Sequence, residues 1–323
     1  MAAQANFIEN GLLLTAGVHH SACDATAFDA IIGTWCHNTA AAGGTGTFTT
    51  FDSRSNDRSQ LMEGTPGMRV VDCPVYKLPA RDRVQPQLTP PANSTLPSMA
   101  VQILHFPPES LAELKSSAAA FSTHDALCAF LWRQITVARR GPGGSPHPTG
   151  DGETSAFAFA VNIRGRASPP LPLTYLGNAS MATMTNRLTV STLTADSGLP
   201  LAAAAIRKSL GAFGSPNYVP LTIGLLQSRP DPTDFHLAYD AFLGPDVVAT
   251  SWADLKVLDG EWGMLGRPDA LRIPGEGADG IVTILPRRRD GGLEVVVGLE
   301  LEAMGRLLMD DQVIRLTGFT RSS

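Results

Sequence analysis

The sequence predicts an α/β protein of the α+β mixed-sheet kind, with strands and helices interleaved along the chain. Three observations predict it. Short apolar runs bounded by glycine or proline recur as strands, and segments with apolar residues at i, i+3, i+4 and i+7 recur between them as helices. A long proline-rich stretch without periodicity divides these elements into two groups. A length of 323 residues suggests about two domains. The division reads as 1–75 for a first domain, 76–100 for a crossover linker and 101–323 for a second domain.

The first strand is Leu12–Val18, a dense apolar run that reads as fully buried. It delivers His19 and His20 to its carboxyl end. Asp24 or Thr26 caps the helix that follows, on which Phe28, Ile31, Ile32 and Trp35 share one face, ending near His37. The small residues from Ala40 to Thr47 read as a loop. Thr65–Pro97 is an extended connection, because a structureless loop of that length is unusual inside one compact domain. Val101–Phe106 reads as a strand and Pro108–Ser117 as a short helix. Ser122–Asp125 supplies capping residues for a helix striped by Ala126, Leu127, Phe130, Leu131, Gln134 and Ile135, with Arg139 and Arg140 near its end. His124 is then a cap-region residue.

Gly141–Thr154 is a polar surface loop, and Ser155–Ile163 is a strand ending at Arg164 and Arg166. Prolines keep Pro169–Leu173 extended, and Leu201–Gly211 is helical by propensity. Val247–Ser251 is a strand. Gly280–Pro286 and Leu293–Leu299 form a hairpin whose basic tip spans 287–292, and Glu300–Met309 is a final helix.

Composition excludes several classes. A content of 43% hydrophobic and 17% charged residues is that of a soluble globular protein. A net charge of −5 argues against nucleic acid, which needs a basic surface. No apolar run approaches a membrane span, and the N-terminus lacks a basic n-region. The four cysteines, at 23, 36, 73 and 128, show no paired spacing, which suits reduced thiols in a cytoplasmic compartment.

Chemistry concentrates in the first strand-to-helix loop. A rigid element presents a histidine pair there, with Asp24 four residues beyond His20. A general base needs such a setting, with its imidazole held and oriented. Structural histidines at a strand end, or a metal held by His19, His20 and Cys23, are the other readings. No further Cys or His cluster follows at zinc-like spacing, so no metal is expected.

His20-Ser-Ala-Cys-Asp24 resembles the HxxxD motif of the BAHD acyl-CoA-dependent acyltransferases, especially their fungal, trichothecene acetyltransferase-like branch. Tyr175-Leu-Gly-Asn-Ala179 resembles that family's YFGNA segment, and Val161-Asn-Ile-Arg-Gly-Arg166 its VN-x-R-x-R strand. Ser251-Trp252 with Asp259-Gly-Glu-Trp-Gly263 is similar to the SW…DFGWG block, followed by Gly266-Arg-Pro-Asp269. The blocks stand in the family's order. Three positions depart: Gly260 and Glu261 stand for Phe and Gly, and Ala25 stands where Gly commonly follows the motif Asp.

The resemblance implies a chloramphenicol-acetyltransferase-like two-domain fold, here lacking roughly the first third of a family member. It implies acyl transfer from acyl-CoA, a co-substrate not tightly bound, to a hydroxyl or amine of a small-molecule, secondary-metabolite acceptor. His20 is then the general base. Asp24 and Asp259 are structural and pair with arginine, with Arg164 and Arg166 the candidates for Asp24. Trp262, Ser251 and Thr250 are oxyanion or channel candidates, and Tyr175, Gly177 and Asn178 lie toward the coenzyme. Arg287–Arg289 reads as a solvated turn, with coenzyme phosphate as the sharper alternative. Other functional readings are an isomerase or cyclase on the same scaffold, a carrier-protein condensation domain, and an inactive half-protein. The exposed edge implied by the short start leads to an expected partner: a second copy or a complementing N-terminal fragment.

Overall fold

The computed structural model describes residues 1–78, 96–141, 152–274 and 277–319. Strands β1 (Ala2–Ile8) and β2 (Gly11–Gly17) pair antiparallel as a hairpin, turning at Asn10, whose φ is 60°. This corrects the fully buried strand expected at Leu12–Val18. Burial alternates along β2, and Leu13 on the outer face is 56% exposed. A two-stranded ribbon has one face to lay on the protein, and only Leu14 and Ala16 reach the small core of Ile32, Cys36 and Trp262. Phe7, on β1, is 83% exposed.

Helix α1 (Ala25–Ala42) begins at Asp24, whose carboxylate accepts from the Ala27 N–H. It runs past His37, because Ala40–Ala42 are strong helix formers, and closes on Gly43. Short 3-10 turns follow at Ser53–Asn56, Ser59–Leu61 and Val70–Asp72, and then β3 (Tyr76–Lys77). The segment expected to be featureless thus carries structure up to residue 78. The rest of the crossover, 79–95, lies outside the described residues, as does most of the expected Gly141–Thr154 loop.

Strand β4 (Met99–Phe106) leads to α2 (Pro108–Ser117), entered through proline, and to α3 (Thr123–Arg139), closed at its start by a Ser122–Asp125 capping box. Thirteen of the seventeen residues of α3 are buried, so it forms the spine of the core. β5 (Thr154–Ser155) and β6 (Phe157–Asn162) share the expected strand. Next come β7 (Ser180–Met184), β8 (Leu188–Thr189), α4 (Val190–Thr194), α5 (Gly198–Ser209), α6 (Tyr218–Gln227) and β9 (His236–Leu237). β10 (Val247–Ser251), β11 (Ile281–Ile284) and β12 (Leu293–Glu300) complete the strands. The helix expected at Glu300–Met309 is α7 (Leu301–Leu307), capped by Glu300, and a further helix the sequence reading lacked follows it, α8 (Asp311–Thr317), capped by Asp310. Two capping carboxylates ten residues apart start the two helices.

The main sheet has the order β4-β12-β11-β10-β6-β7. β10 is parallel to β11 and β6, and β12 is antiparallel to β4 and β11, so β4, β11, β10 and β6 end at one edge. The sheet is mixed, as expected. Phe106, Phe130, Trp132, Phe157 and Val295 pack its buried face against α3, and Trp132 Nε1 donates to Ser155 Oγ at 2.8 Å.

The segment after the second 3-10 turn is fastened to α6. The Gly64 N–H donates to Gln227 Oε1 at 2.9 Å, and the Thr65 N–H donates to the Pro220 carbonyl at 2.8 Å. Gly64 and Gly224 meet backbone to backbone, so a Cβ on either would fall inside the opposite chain. Replacing Gly224 by alanine is therefore expected to cost about 1–3 kcal/mol through backbone displacement, seen as a lower Tm in thermal unfolding. An unchanged Tm would contradict the crossing.

Candidate active site

The site is built around a buried ion pair between chain regions 140 residues apart. Arg164 Nη1 donates to Asp24 Oδ2, and Arg164 Nη2 donates to Asp24 Oδ1, each at 2.9 Å. Arg164 is fully buried and Asp24 is 6% exposed. A buried charge persists only when its hydrogen-bonding capacity is met. Asp24 also accepts from the Ala27 N–H at 2.9 Å and the Ala179 N–H at 2.7 Å. Arg164 Nη2 also donates to the Tyr175 and Gly177 carbonyls, both at 2.9 Å, while Arg164 Nη1 reaches Asn162 Oδ1 at 3.3 Å. The Tyr175 ring stands 5.6 Å from the guanidinium carbon. Burial alone would raise the Asp24 carboxyl. The Arg164 hydrogen bonds, the Ala179 and Ala27 amides and the Arg164 charge outweigh it and hold the group below the ordinary carboxylate range.

This pair joins three segments: the start of α1, the end of β6 and the Tyr175–Ala179 stretch. His20 lies just upstream, exposed, in the loop between β2 and α1. Asn178 Nδ2 donates to the His20 carbonyl at 2.8 Å, so the backbone of the loop is held from the same stretch. The carboxylate of Asp24 is committed to Arg164 and to the Ala27 and Ala179 amides, not to the His20 imidazole. His19 differs from its neighbour: its Nδ1 lies 2.7 Å from Ser21 Oγ. Beside this loop opens a cavity of about 350 Å³, lined among others by Ser21, Asn56, Arg58, Tyr175, Gly177 and Asn178.

Thr250 and Ser251 end β10 at the sheet edge that β6 also reaches. The loop beyond them is tied to α1, where both Asp29 oxygens accept from the Lys256 N–H at 3.0 Å. Burial chiefly pushes the Asp29 carboxyl up, against the Lys256 and Val257 amides.

Two candidates have other partners. Trp262 is buried edge-on against Trp35, with ring centroids 5.4 Å apart. Trp35 stands roughly 16 Å along the axis of α1 from Asp24, and the Trp262 indole packs there with Ile32 and Cys36. Asp259 does not meet an arginine among the described residues. It is exposed, 3.7 Å from Lys256 Nζ, because the loop turns its carboxylate to solvent while Glu261 takes Arg267 at 2.7 Å. The sequence reading missed Asn56 and Arg58, whose polar setting resembles any solvated turn. Among the described residues no cluster is placed to hold a metal ion, and no helix is long and apolar enough to cross a membrane.

The model of the transferase family matches residues 1–312. The acyltransferase easC of Emericella nidulans is 29% identical over 338 residues, covering 99% of this chain and 69% of its own length. Eremophilane O-acetyltransferase ORF8 of Penicillium roqueforti is 29% identical over 350 residues, covering 99% of this chain and 72% of its own length. A crystal structure of F. sporotrichioides TRI101 complexed with coenzyme A and T-2 superposes with a TM-score of 0.75 at 25% identity, over 97% of this chain and 69% of that one.

Removing one partner of the buried pair leaves the other charged and unmatched. Asp24→Asn and Arg164→Gln are each expected to cost about 3–5 kcal/mol of stability. The folded carboxyl lies below its unfolded value, so its contribution is complete above the ordinary carboxylate range and is lost as pH falls through the folded value. Denaturant unfolding between neutral and acid pH should show this loss in the parent and a weaker one in Asp24→Asn. An Asp24→Asn protein as stable as the parent would refute the structural role.

Proposed function

Because the chain belongs to the BAHD family of acyl-CoA-dependent transferases, we propose that it transfers an acyl group from acyl-CoA to a hydroxyl of a small-molecule acceptor, with His20 as general base. One observation carries the assignment to His20. Its loop is anchored on both sides, by Asp24 on Arg164 and by Asn178 on the His20 carbonyl, while its own ring carries no partner among the described residues. The His19 ring is engaged with Ser21.

An alcohol attacks a thioester poorly at neutral pH unless its proton is taken as the bond forms. His20 takes that proton. The oxygen adds to the thioester carbonyl, and the tetrahedral intermediate collapses with the coenzyme thiolate leaving. The imidazolium then returns the proton to the sulfur. Thr250 and Ser251, at the end of β10, are the hydroxyl donors proposed for the oxyanion, and the Tyr175–Asn178 stretch faces the coenzyme. A hydroxyl acceptor is supported by the eremophilane O-acetyltransferase among the relatives and by the T-2 complex.

Thiol release from acetyl-CoA with a terpenoid alcohol measures the reaction. His20→Ala should lower kcat by about 10²–10⁴-fold, and His19→Ala far less. Equal losses from the two, or full turnover without His20, would reject the assignment.

A further inference from the structure

The cavity beside the His20 loop holds a cation that the fold leaves unused. Arg58 sits between the 3-10 turns Ser53–Asn56 and Ser59–Leu61, exposed, and its guanidinium has no hydrogen-bond or ion-pair partner among the described residues. Its neighbours in sequence behave otherwise. Arg54 grips Asp52 with two nitrogens, and Arg69 grips Asp72 in the same way. The adjacent carboxylate of Asp57 is occupied by the Ser59 N–H at 2.9 Å.

The lining is asymmetric in charge. Arg58 is accompanied by the amides of Asn56 and Asn178 and the hydroxyls of Ser21 and Tyr175, and no lining residue is acidic. In a chain of net charge −5, a cavity with one cation and no anion is set apart from its surface. The charge reaches into the site: burial pushes the Tyr175 hydroxyl up, and Arg164 first and Arg58 next oppose it. A volume of about 350 Å³ suits part of a small molecule. A guanidinium is the side chain best shaped to meet paired oxygens.

We infer that this cavity binds an anionic oxygen group, phosphate or carboxylate, of one of the two substrates, and that Arg58 is its ligand. The inference rests on the acyl-transfer reading only for which substrate brings the group: the phosphates of the coenzyme or an acid on the acceptor. Binding can be tested without turnover, so an inactive protein would still answer the question.

Calorimetric titration of the full chain and of its Arg58→Gln and Arg58→Lys variants, all checked for an unchanged Tm, uses four probes: coenzyme A, inorganic pyrophosphate, malonate and neutral pantetheine. Loss of a charge-assisted contact should weaken the anionic probe about tenfold or more in Arg58→Gln. Arg58→Lys should restore part of that, and pantetheine should be unaffected. Coenzyme A and pyrophosphate weakened together, with malonate unmoved, assigns the group to the donor. Malonate weakened with coenzyme A unmoved assigns it to the acceptor. Equal affinities in parent and Arg58→Gln, or no binding of any anionic probe to the parent, overturn the inference.

Discussion

The structure depends on one buried interaction, the bidentate contact of Arg164 with Asp24. Neither charge could remain dry alone, and their mutual attraction roughly offsets the cost of removing both from water. The stability gained is therefore small, but the geometry gained is large. Asp24 serves at once as the cap of α1 and as acceptor for the Ala179 amide. Arg164 gathers the Tyr175 and Gly177 carbonyls. An aspartate that lost its arginine would leave the helix start, the Gly177 turn and the end of β6 without a common reference. The His20 loop inherits its place from this junction through Asn178, by its backbone and not by its ring.

A second fastening holds α1 farther along, and it explains a departure from the family pattern. Trp262 lies on Trp35, and the glycines beside it approach the same helix. A Cβ at Gly260 would come within 2.8 Å of Cys36 Sγ, and one at Gly263, whose φ is 63°, within 3.2 Å of the Ala40 Cα. The phenylalanine that Gly260 replaces would have to displace Cys36. The glycine and the buried cysteine are thus one local solution to packing this loop on α1. The block thus holds the flank of α1 in place.

What was legible in the sequence follows from how directly each feature is written there. β10 and the β11–β12 hairpin are bounded apolar runs, and α3 carries both its cap and its stripe, so each was read close to its observed bounds. β2 misled because all its central positions are small or apolar, which hides which face is buried. α6 went unread since Pro220 and Gly224 interrupt the helical signal, although proline is tolerated in a first turn. The pairing of Asp24 with Arg164 joins distant parts of the chain and no spacing rule reveals it; only the family resemblance suggested the partner. Arg58 stayed invisible because Ser-Asn-Asp-Arg-Ser reads as a solvated turn, and its cavity exists only after the His20 loop, the 3-10 turns and the Tyr175 stretch come together.

The sheet edge where β4, β11, β10 and β6 end is the kind of place where mixed α/β proteins bind ligands, aided by helix N-termini. Here that aid is already used. The first turn of α1 is satisfied by Asp24, and that of α3 by Ser122 and Asp125, with Arg207 donating to Asp125 at 2.9 Å. His124, inside the first turn of α3, is kept below the usual histidine range mainly by burial and adds no firm positive charge. An anion arriving at this end would meet protein carboxylates where it needs bare N–H groups. Arg164, fully buried, turns both of its terminal nitrogens to Asp24, Asn162 and the Tyr175 and Gly177 carbonyls. The positive charge for an anionic substrate must then come from outside the helix termini, and Arg58 is the cation the cavity itself provides.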